Sequence, residues 1–381
     1  MKPVNMKKSS IFTLFLFLSL LLNSLSAKSV EEPLAPALYV FGDSLTDSGN
    51  NNGLPTQAKA NYTPYGIDFV GGVTGRFTNG NTFTDIIALL LGLPFAPPYL
   101  GLSEAERSKI ITGLNYASGS AGILPETGSS LGKNIPLGKQ IKYFKRTVEK
   151  DLPQNFKEPQ DLFKHLCESI FIVSIGGNDY LNNYLQPDYY NSSKHFTPER
   201  FARFLVHRLS HHLKTLYKLG ARKIVVFDIG PIGCSPSITN AVDFNKACVE
   251  EVNQLVLEYN RLLPLLVKKL KLLPGSNFVQ GLTFASGYDA HQNPSKYGFK
   301  YTNIPCCVVS NHGTTACLPD QPPCQDRDQY LFWDAFHPTQ AANALIAVGC
   351  FNQSTICTPM NIQQLCRFKE ANTASNKILV V

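Results

Sequence analysis

The sequence predicts an α/β protein, a three-layer α/β/α sandwich built around a parallel sheet of about five strands. Apolar runs without polar alternation predict the strands, at 37–42, 113–117, 169–176, 222–229 and 277–281. Helix-forming stretches separate or follow them, at 81–92, 138–150, 197–219, 241–272 and 339–348. Strands that are apolar on both faces and alternate with helices are typical of a parallel sheet covered on both sides.

The N-terminal 27 residues predict a cleaved secretory signal. Lys2, Lys7 and Lys8 provide a positive start, an apolar run covers 11–22, and small residues suited to cleavage follow at 24–27. A membrane-spanning helix is the alternative, but such a helix needs roughly 20 apolar residues. We therefore predict a secreted, extracellular protein without a transmembrane anchor.

The rest of the chain is predicted to form a single domain over residues 28–366, followed by a flexible tail at 367–381. α/β folds keep such lengths in one domain when their loops are long. The sequence contains no internal repeat, no low-complexity linker and no long run of charge. The apolar end of the tail is too short to anchor the chain in a membrane.

Catalytic chemistry is first suggested where the strand at 37–42 ends, in the run Gly42-Asp43-Ser44. Open α/β sheets place their reactive groups at the carboxyl ends of strands. Gly42 permits a tight turn, which would present the Ser44 hydroxyl at the sheet edge beside free backbone N–H groups. The alternative is an ordinary serine that caps a short helix, and this run alone does not decide between the two.

A partner for Ser44 is predicted near the other end of the chain, in the spacing Asp334-x-x-His337. Side chains three residues apart can meet on one turn. Asp334 can then hold the imidazole Nδ1–H of His337 and leave Nε2 free to accept a serine proton. Pro338 disfavours helical geometry at His337, which predicts a loop just before the last helix. A lone histidine near a helix start is the alternative.

A third polar signal follows the strand at 169–176, where Asn178 offers an amide N–H to a developing oxyanion. Gly-Asp-Ser, Gly-Asn-Asp and Asp-x-x-His in this order closely resemble the GDSL family of the SGNH hydrolase superfamily. The plant extracellular GDSL esterase/lipases are the most similar members. The resemblance covers Ala37 to about Cys350, and its four blocks lie at 41–52, 115–123, 177–179 and 330–339. One departure is Val308, where the family often has glycine after two cysteines; it lies in a loop before the last block.

The resemblance implies a flavodoxin-like winding and a secreted serine esterase/lipase that hydrolyses carboxylic esters through an acyl-enzyme on Ser44. It assigns His337 as general base and Asp334 as the residue that orients His337. It also implies an oxyanion hole made of the Ser44 N–H, a glycine N–H of the second block and the Asn178 side chain. We place that glycine at Gly119, with Gly122 as the alternative. Neither a metal nor an organic cofactor is implied.

Three other functions compete with ester hydrolysis. An acyltransferase would use the same three residues and pass the acyl group to an alcohol instead of water. A carbohydrate acetylesterase is a narrower alternative within the hydrolases. A non-enzymatic wall-binding protein on a hydrolase fold is the third, since fold does not imply function. The substrate is predicted to be a small-molecule or lipid ester, and its chain length is left open.

The ten cysteines of a chain predicted to be exported indicate disulfides rather than metal. Their spacing suggests that Cys234 pairs with Cys248. A second pairing is expected within the cluster Cys306, Cys307, Cys317 and Cys324. That cluster lacks the repeated Cys-x-x-Cys pattern of a structural zinc site. His207 and His211 have the spacing of metal ligands but no glutamate after the first, so we interpret them as a solvated helix face.

Glycosylation acceptors are predicted at Asn61, Asn191 and Asn352. The formal charge of +7 falls to +4 when the three lysines of the predicted signal are removed, and this excess is spread along the chain. No basic stripe interleaved with aromatic residues is visible, which argues against a nucleic-acid partner. A mildly basic exported protein tends to associate with acidic wall polysaccharide, so cell-wall association is expected.

The stretch 62–80 follows the predicted nucleophile and is rich in glycine, threonine and aromatic residues. Two interpretations are open for it. It suits a rim that binds substrate, and it equally suits a surface loop that braces the first helix.

Overall fold

A sheet with the strand order β1-β2-β3-β4-β5 organises the fold. Its strands are β1 Leu38–Gly42, β2 Ile170–Ser174, β3 Lys223–Phe227, β4 Asn277–Gly281 and β5 Cys357–Thr358. β1 to β4 are parallel, and β5 pairs antiparallel with β4 at one edge. The register places Gly42 beside Ser174, so the two strands that precede the predicted site residues end together.

The computed structural model describes residues 32–242 and 247–368. From Leu34 onward these residues form one compact unit. The predicted signal peptide lies outside the described residues, and so does the predicted tail apart from residues 367 and 368.

The α-helices of the described residues include a counterpart of each of the five predicted helices, together with others that were not predicted. They are α1 Phe83–Leu90, α2 Glu104–Arg107, α3 Leu137–Arg146, α4 Pro159–Glu168, α5 Gly177–Asp179, α6 Ser192–His195, α7 Pro198–Lys218, α8 Pro236–Val242, α9 Glu250–Leu270, α10 Thr283–Gln292, α11 Gln340–Phe351 and α12 Ile362–Arg367. The single helix predicted over 241–272 is instead two helices, α8 and α9. Short 3₁₀ and π turns connect several of these helices.

Both faces of the sheet are buried, which explains the lack of polar alternation in the strands. Tyr39 and Phe41 of β1 pack on one side, in a core shared with α3, α7 and α9. Leu38 and Val40 point to the other side and pack with α1, α11 and α12. Successive residues of a strand point to opposite faces, so a sheet between two helical layers needs apolar residues throughout. The predicted three-layer α/β/α sandwich is therefore confirmed.

The predicted strand at 113–117 forms only isolated parallel bridges, from Asn115 to Val40 and to Pro98. Backbone hydrogen bonds nevertheless join this segment to the free edge of β1, with Val40 N donating to Leu114 O at 3.1 Å and Tyr116 N to Val40 O at 2.8 Å. If the segment 113–117 is counted as a strand, it is the second in the chain, and β2, β3 and β4 become the third, fourth and fifth. The spatial order of the five parallel strands is then 2-1-3-4-5, which is that of flavodoxin-like sheets. The sequence did not predict β5, which is the fifth strand of the sheet in place of the predicted strand at 113–117.

The disulfides of the described residues all lie in the C-terminal half of the chain, between residues 234 and 357. The predicted pair Cys234–Cys248 is present, and the predicted cluster forms two bonds, Cys306–Cys324 and Cys307–Cys317. A fourth bond, Cys350–Cys357, was not predicted and links α11 to β5. Within the described residues, no helix has both the length and the apolar character required to cross a membrane.

Candidate active site

Ser44 lies two residues after β1, on a turn for which only glycine fits at position 42. A Cβ atom on Gly42 would lie 2.3 Å from Thr46 Oγ1 and 2.5 Å from the backbone oxygen of Ser174. Gln140 of α3 closes the end of the strand, because its Oε1 accepts from Gly42 N at 2.9 Å and its Nε2 donates to Gly42 O at 2.7 Å. The half-buried Ser44 side chain is thereby held at the C-terminal edge of the sheet.

The structure brings Ser44, His337 and Asp334 together in one hydrogen-bonded chain. Ser44 Oγ lies 2.8 Å from His337 Nε2. On the other side of the ring, Nδ1 lies 2.8 Å from both carboxylate oxygens of Asp334. This arrangement directs the free lone pair of Nε2 at the serine hydroxyl, so His337 can accept the proton as the oxygen attacks a carbonyl carbon.

The Asp334 carboxylate is fully buried and held by further donors. Its Oδ1 accepts from the backbone N–H groups of Phe336 and His337, both at 2.8 Å. Its Oδ2 accepts a hydrogen bond from the hydroxyl of Tyr65, a residue that sequence reasoning did not assign to the site. Burial and the charge of Asp334 raise the pKa of Tyr65 well above its ordinary value, which keeps the phenol a donor. The Asp334 carboxylate therefore has a fixed orientation.

The stretch 62–80 packs against the segment that carries His337. Thr78 Oγ1 donates to Pro338 O at 2.9 Å. Asn79 Oδ1 accepts from Gln340 N at 2.8 Å. Arg76 also forms a buried bidentate ion pair with Asp85 at the start of α1. These contacts favour the bracing interpretation of the stretch, and they extend it from the first helix to the histidine loop.

Asn178 lies just after β2 and is almost fully buried. One N–H of its amide donates to Ala121 O at 3.1 Å, and its Oδ1 accepts from Asn182 Nδ2 at 2.6 Å. Within the described chain, no acceptor takes the second N–H of this amide. Both contacts fix the plane of the amide, so the remaining N–H is available to a ligand.

The loop 118–124 that faces Asn178 corrects the choice of Gly119 as an oxyanion donor. The Gly119 N–H already donates to Asp47 Oδ2 at 3.0 Å. Most other amides of this loop have acceptors as well: Ser118 N donates to Gly42 O, Ala121 N to Ser118 O, and Ile123 N and Leu124 N to Asp179. Only Ser120 and Gly122 have N–H groups for which the described residues supply no acceptor.

Ser120 has a further unusual property, a φ of 62°. Few residues other than glycine adopt this left-handed conformation, and such strain concentrates at functional sites. Asn134 Nδ2 holds the residue in place by donating to Ser120 Oγ at 3.2 Å. Nothing in the sequence of the second block singled out Ser120, because a positive φ at a serine has no reliable sequence signal.

Three buried carboxyl groups surround this loop and the nucleophile turn. Burial raises the pKa of Asp43 to about 7, although the Leu45 N–H and His337 oppose the increase. Burial also raises the pKa of Asp47 and of Asp179 to about 6, although each carboxylate accepts hydrogen bonds from backbone N–H groups, which lower its pKa. The site thus depends on carboxylates that burial disfavours and backbone donors stabilise.

Other predicted sites lie apart from this constellation. The predicted glycosylation acceptors Asn61, Asn191 and Asn352 are all exposed. His207 and His211 lie on α7, exposed as expected. The one group of potential metal ligands in the described residues combines Cys234, Cys248 and His291, but its two sulfurs form a disulfide.

Comparisons with known proteins match most of the chain. A family model described as GDSL-like Lipase/Acylhydrolase matches residues 38–348. An Arabidopsis thaliana protein named GDSL esterase/lipase 7 is 47% identical over 342 residues, covering 88% of this chain and 93% of its own length. GDSL esterase/lipase At1g71691 from the same plant is 44% identical over 336 residues, covering 87% of this chain and 86% of its own. GDSL esterase/lipase At1g33811, also from Arabidopsis thaliana, is 41% identical over 343 residues and covers 88% and 92%.

Proposed function

This chain belongs to the GDSL-like lipase/acylhydrolase family and is an ester hydrolase, and we propose that it cleaves carboxylic esters through an acyl-enzyme on Ser44. The observation that carries the proposal is the chain of contacts of 2.8 Å from Ser44 Oγ through His337 to Asp334. A serine hydroxyl is a weak nucleophile unless an adjacent base accepts its proton, and His337 is in position to do so.

In the first step, Ser44 Oγ attacks the ester carbonyl carbon while His337 Nε2 takes its proton. The carbonyl oxygen becomes an oxyanion, and the bond to the alcohol oxygen then breaks as His337 returns the proton to that oxygen. In the second step, water attacks the acyl-enzyme with the same proton transfers and releases the carboxylic acid. Asp334 stays ionised throughout and stabilises the imidazolium that forms.

The oxyanion is held by the Ser44 N–H, the Asn178 amide and one N–H of the loop 118–124. Ser120 and Gly122 are the candidates for this last donor, because the other amides of the loop are already used. The Ser44 N–H likewise has no acceptor within the described residues. Donors fixed in advance cost no reorganisation when charge develops, which is why they accelerate acyl transfer.

Secretion and a lipid-type acyl ester as substrate complete the proposal. The apolar and basic features of residues 1–27 and the four disulfides support export. The exposed side chains of Ile67, Val70 and Val73, in the stretch beside the histidine loop, support an apolar substrate. Acyl transfer to an alcohol stays an alternative, because the same three residues serve both reactions.

The test is hydrolysis of p-nitrophenyl esters from acetyl to palmitoyl, with wild type compared with Ser44→Ala. We expect Ser44→Ala to lower kcat by about 10⁴-fold or more while thermal unfolding is unchanged. Addition of an alcohol acceptor and analysis of the products separates hydrolysis from acyl transfer. Equal activity of wild type and Ser44→Ala would overturn the proposed nucleophile.

A further inference from the structure

A concave basic surface lies between α3 and α7, apart from the proposed active site. We define this basic groove by the basic side chains that line it, Lys139, Lys142 and Lys145 from α3 with His207, Arg208 and His211 from α7. Its volume is about 520 Å³, and Ile123, Pro125, Pro136 and Ile141 also line it. Ser44, Asp334 and His337 do not line it. The groove therefore shares Ile123 of the loop 118–124 with the surroundings of the proposed active site, but none of its three catalytic residues.

The positive charge of the groove has little compensation. No acidic residue lines it. Among the described residues, Lys139, Lys142 and Arg208 have no carboxylate within ion-pair distance, and Lys145 only approaches Glu149 at 3.6 Å across an exposed pair. Like charges one helical turn apart destabilise a helix. An anionic ligand would relieve the mutual repulsion of the three lysines, which lie at intervals of three residues on α3.

The basic surface continues along α7 beyond the groove. After Glu199 the helix contains no further acidic residue up to Lys218. A second cavity of about 540 Å³ is lined by His195, Phe196, Arg200 and Arg203. Positions 200, 203, 207 and 211 share one face of the helix, so Arg200 and Arg203 extend the surface of His207 and His211 to a length of about 16 Å. The sequence suggested an even spread of charge, whereas the fold gathers cations from two helices.

The permanent charges are those of the lysines and arginines. Burial, together with the positive charges of Arg208 and His211, lowers the pKa of His212 to about 4. His212 is therefore neutral at pH 7 and contributes shape rather than charge to the groove, which it also lines.

We propose that the basic groove binds an acidic polysaccharide, a chain with regularly spaced carboxylates. Arg208 can pair with a carboxylate through two hydrogen bonds, and the lysines of α3 act as point charges along the groove. Nucleic acid is disfavoured because no aromatic residue lines the groove, and single strands need aromatic side chains on which bases stack. An anionic membrane is disfavoured because the surface is concave and its lining lacks the Trp, Phe and Leu side chains that insert into lipid.

The experiment measures binding of polygalacturonate to the secreted, disulfide-intact protein at increasing salt, with neutral dextran of matched length as the control ligand. The test variant is Lys139→Glu/Lys142→Glu/Arg208→Glu. The matched control is Lys268→Glu/Lys269→Glu/Lys271→Glu, which makes the same change in net charge at exposed positions of α9 and its end. Esterase activity and circular dichroism verify that both variants fold, and the neutral set Lys139→Gln/Lys142→Gln/Arg208→Gln replaces the first if it does not.

We expect wild type to bind polygalacturonate but not dextran, with binding that weakens as salt increases. The groove variant should bind at least 10-fold more weakly, whereas the α9 variant should change binding by less than 2-fold. Equal losses in the two variants would show an effect of net charge alone and overturn the proposal. So would groove-dependent binding to phosphatidylglycerol vesicles without binding to polygalacturonate. Binding of inorganic phosphate as tight as that of the polymer would also overturn it, because the groove would then be a small-anion site.

Discussion

At the scale of single residues, Tyr65 is the least expected member of the site. Its hydroxyl donates to Asp334 Oδ2 and accepts from the backbone N–H of Cys317 at 3.2 Å. It contacts neither Ser44 nor His337 through a hydrogen bond, so it acts by positioning Asp334. Phe77, which packs edge-on against Tyr65, also lies 5.0 Å from the His337 ring and supports it from the side.

Tyr65→Phe removes this donor and leaves the ring in place. We expect kcat for ester hydrolysis to fall by about tenfold, or ~1.4 kcal/mol, near the lower end for a hydrogen bond to a charged group. KM should change little, because the Tyr65 hydroxyl donates to Asp334 and not to Ser44 or His337. Tyr62→Phe is the matched control, because its hydroxyl donates to Cys317 O rather than to Asp334. An unchanged kcat in Tyr65→Phe would mean that the phenol has only a packing role.

Asn178→Ala tests the proposed oxyanion hole. The variant loses an amide N–H that is already oriented by Ala121 O and Asn182. We expect kcat to fall by about 10²–10³-fold with little change in KM, the usual effect of removing one such donor. Asn182→Ala should lower kcat much less, because it removes only the hydrogen bond that holds the plane of the Asn178 amide. A change confined to KM would instead assign Asn178 to substrate binding.

The sequence was sufficient for the residues whose chemistry depends on local motifs, and insufficient for those fixed by distant contacts. Ser44, Asp334 and His337 each follow a recognisable turn signal, and the structure places them in contact. Tyr65 meets Asp334 across 269 residues of chain, and no local pattern predicts such a contact. Gly119 is disfavoured as the donor because its N–H donates to Asp47, 72 residues earlier.

At the scale of elements, the prediction succeeded wherever an element is buried on both sides. β1 to β4 and the long helices have the apolar patterns that burial demands. The segment 113–117 is apolar as well, but it follows β1 without a regular ladder, so Asn115 forms only isolated bridges, to Val40 and to Pro98. β5 has two residues and is fixed by the Cys350–Cys357 bond rather than by its own sequence. Strands of this length have no periodicity to detect.

The Cys307–Cys317 bond fixes the element on which Tyr65 depends. Cys307 N donates to Trp333 O at 2.9 Å, beside Asp334, while Cys317 contacts the hydroxyls of Tyr62 and Tyr65. The bond therefore links the loop before the histidine segment to the residues that hold Asp334. Its removal should affect catalysis as well as stability.

Cys307→Ala/Cys317→Ala is expected to lose roughly 2–3 kcal/mol of stability and to lower kcat to about the level of Tyr65→Phe. Tyr65→Phe added to this background should cost little more, because both changes release the same carboxylate. Cys350→Ala/Cys357→Ala is the control, since it opens a loop of similar size, 7 against 10 residues, away from the site. Urea unfolding and ester kinetics on both variants provide the comparison. If the losses in kcat from Tyr65→Phe and from removal of the disulfide were additive, the two changes would not act through the same carboxylate.

At the scale of the whole molecule, the site joins parts of the chain that lie far apart in sequence. Ser44 and His337 are separated by 293 residues, and the loop 118–124 and Asn178 come from between them. Asp179 ties two of these parts together, because its carboxylate accepts from Ile123 N at 2.7 Å, Leu124 N at 3.0 Å and Thr127 Oγ1 at 2.7 Å. These hydrogen bonds favour the ionised carboxylate of Asp179, whereas burial disfavours it. The stability of the fold is therefore expected to depend on pH through Asp179.

The sign of this coupling follows from the raised pKa of Asp179, about 6 against an ordinary value of 3.8. The folded state keeps the proton to higher pH than the unfolded state, so the contribution of Asp179 to stability is largest below pH 4 and is lost as pH rises to about 6. Asp179→Asn cannot ionise and lacks this loss. We therefore expect the free energy of unfolding of wild type, relative to Asp179→Asn, to decrease by up to roughly 3 kcal/mol between pH 4 and pH 7.

Urea unfolding of both proteins at intervals between these pH values measures this difference. Asp228→Asn is the control, because burial also raises the pKa of Asp228 to about 6 but its partners are Thr283 and Phe284, away from the loop 118–124. Both substitutions should reduce the pH dependence, yet only Asp179→Asn should also lower kcat, since it alone misplaces the amides that face Asn178. A constant difference between wild type and Asp179→Asn across this range would show that Asp179 titrates alike in the folded and unfolded chain, and that its hydrogen bonds fully offset its burial.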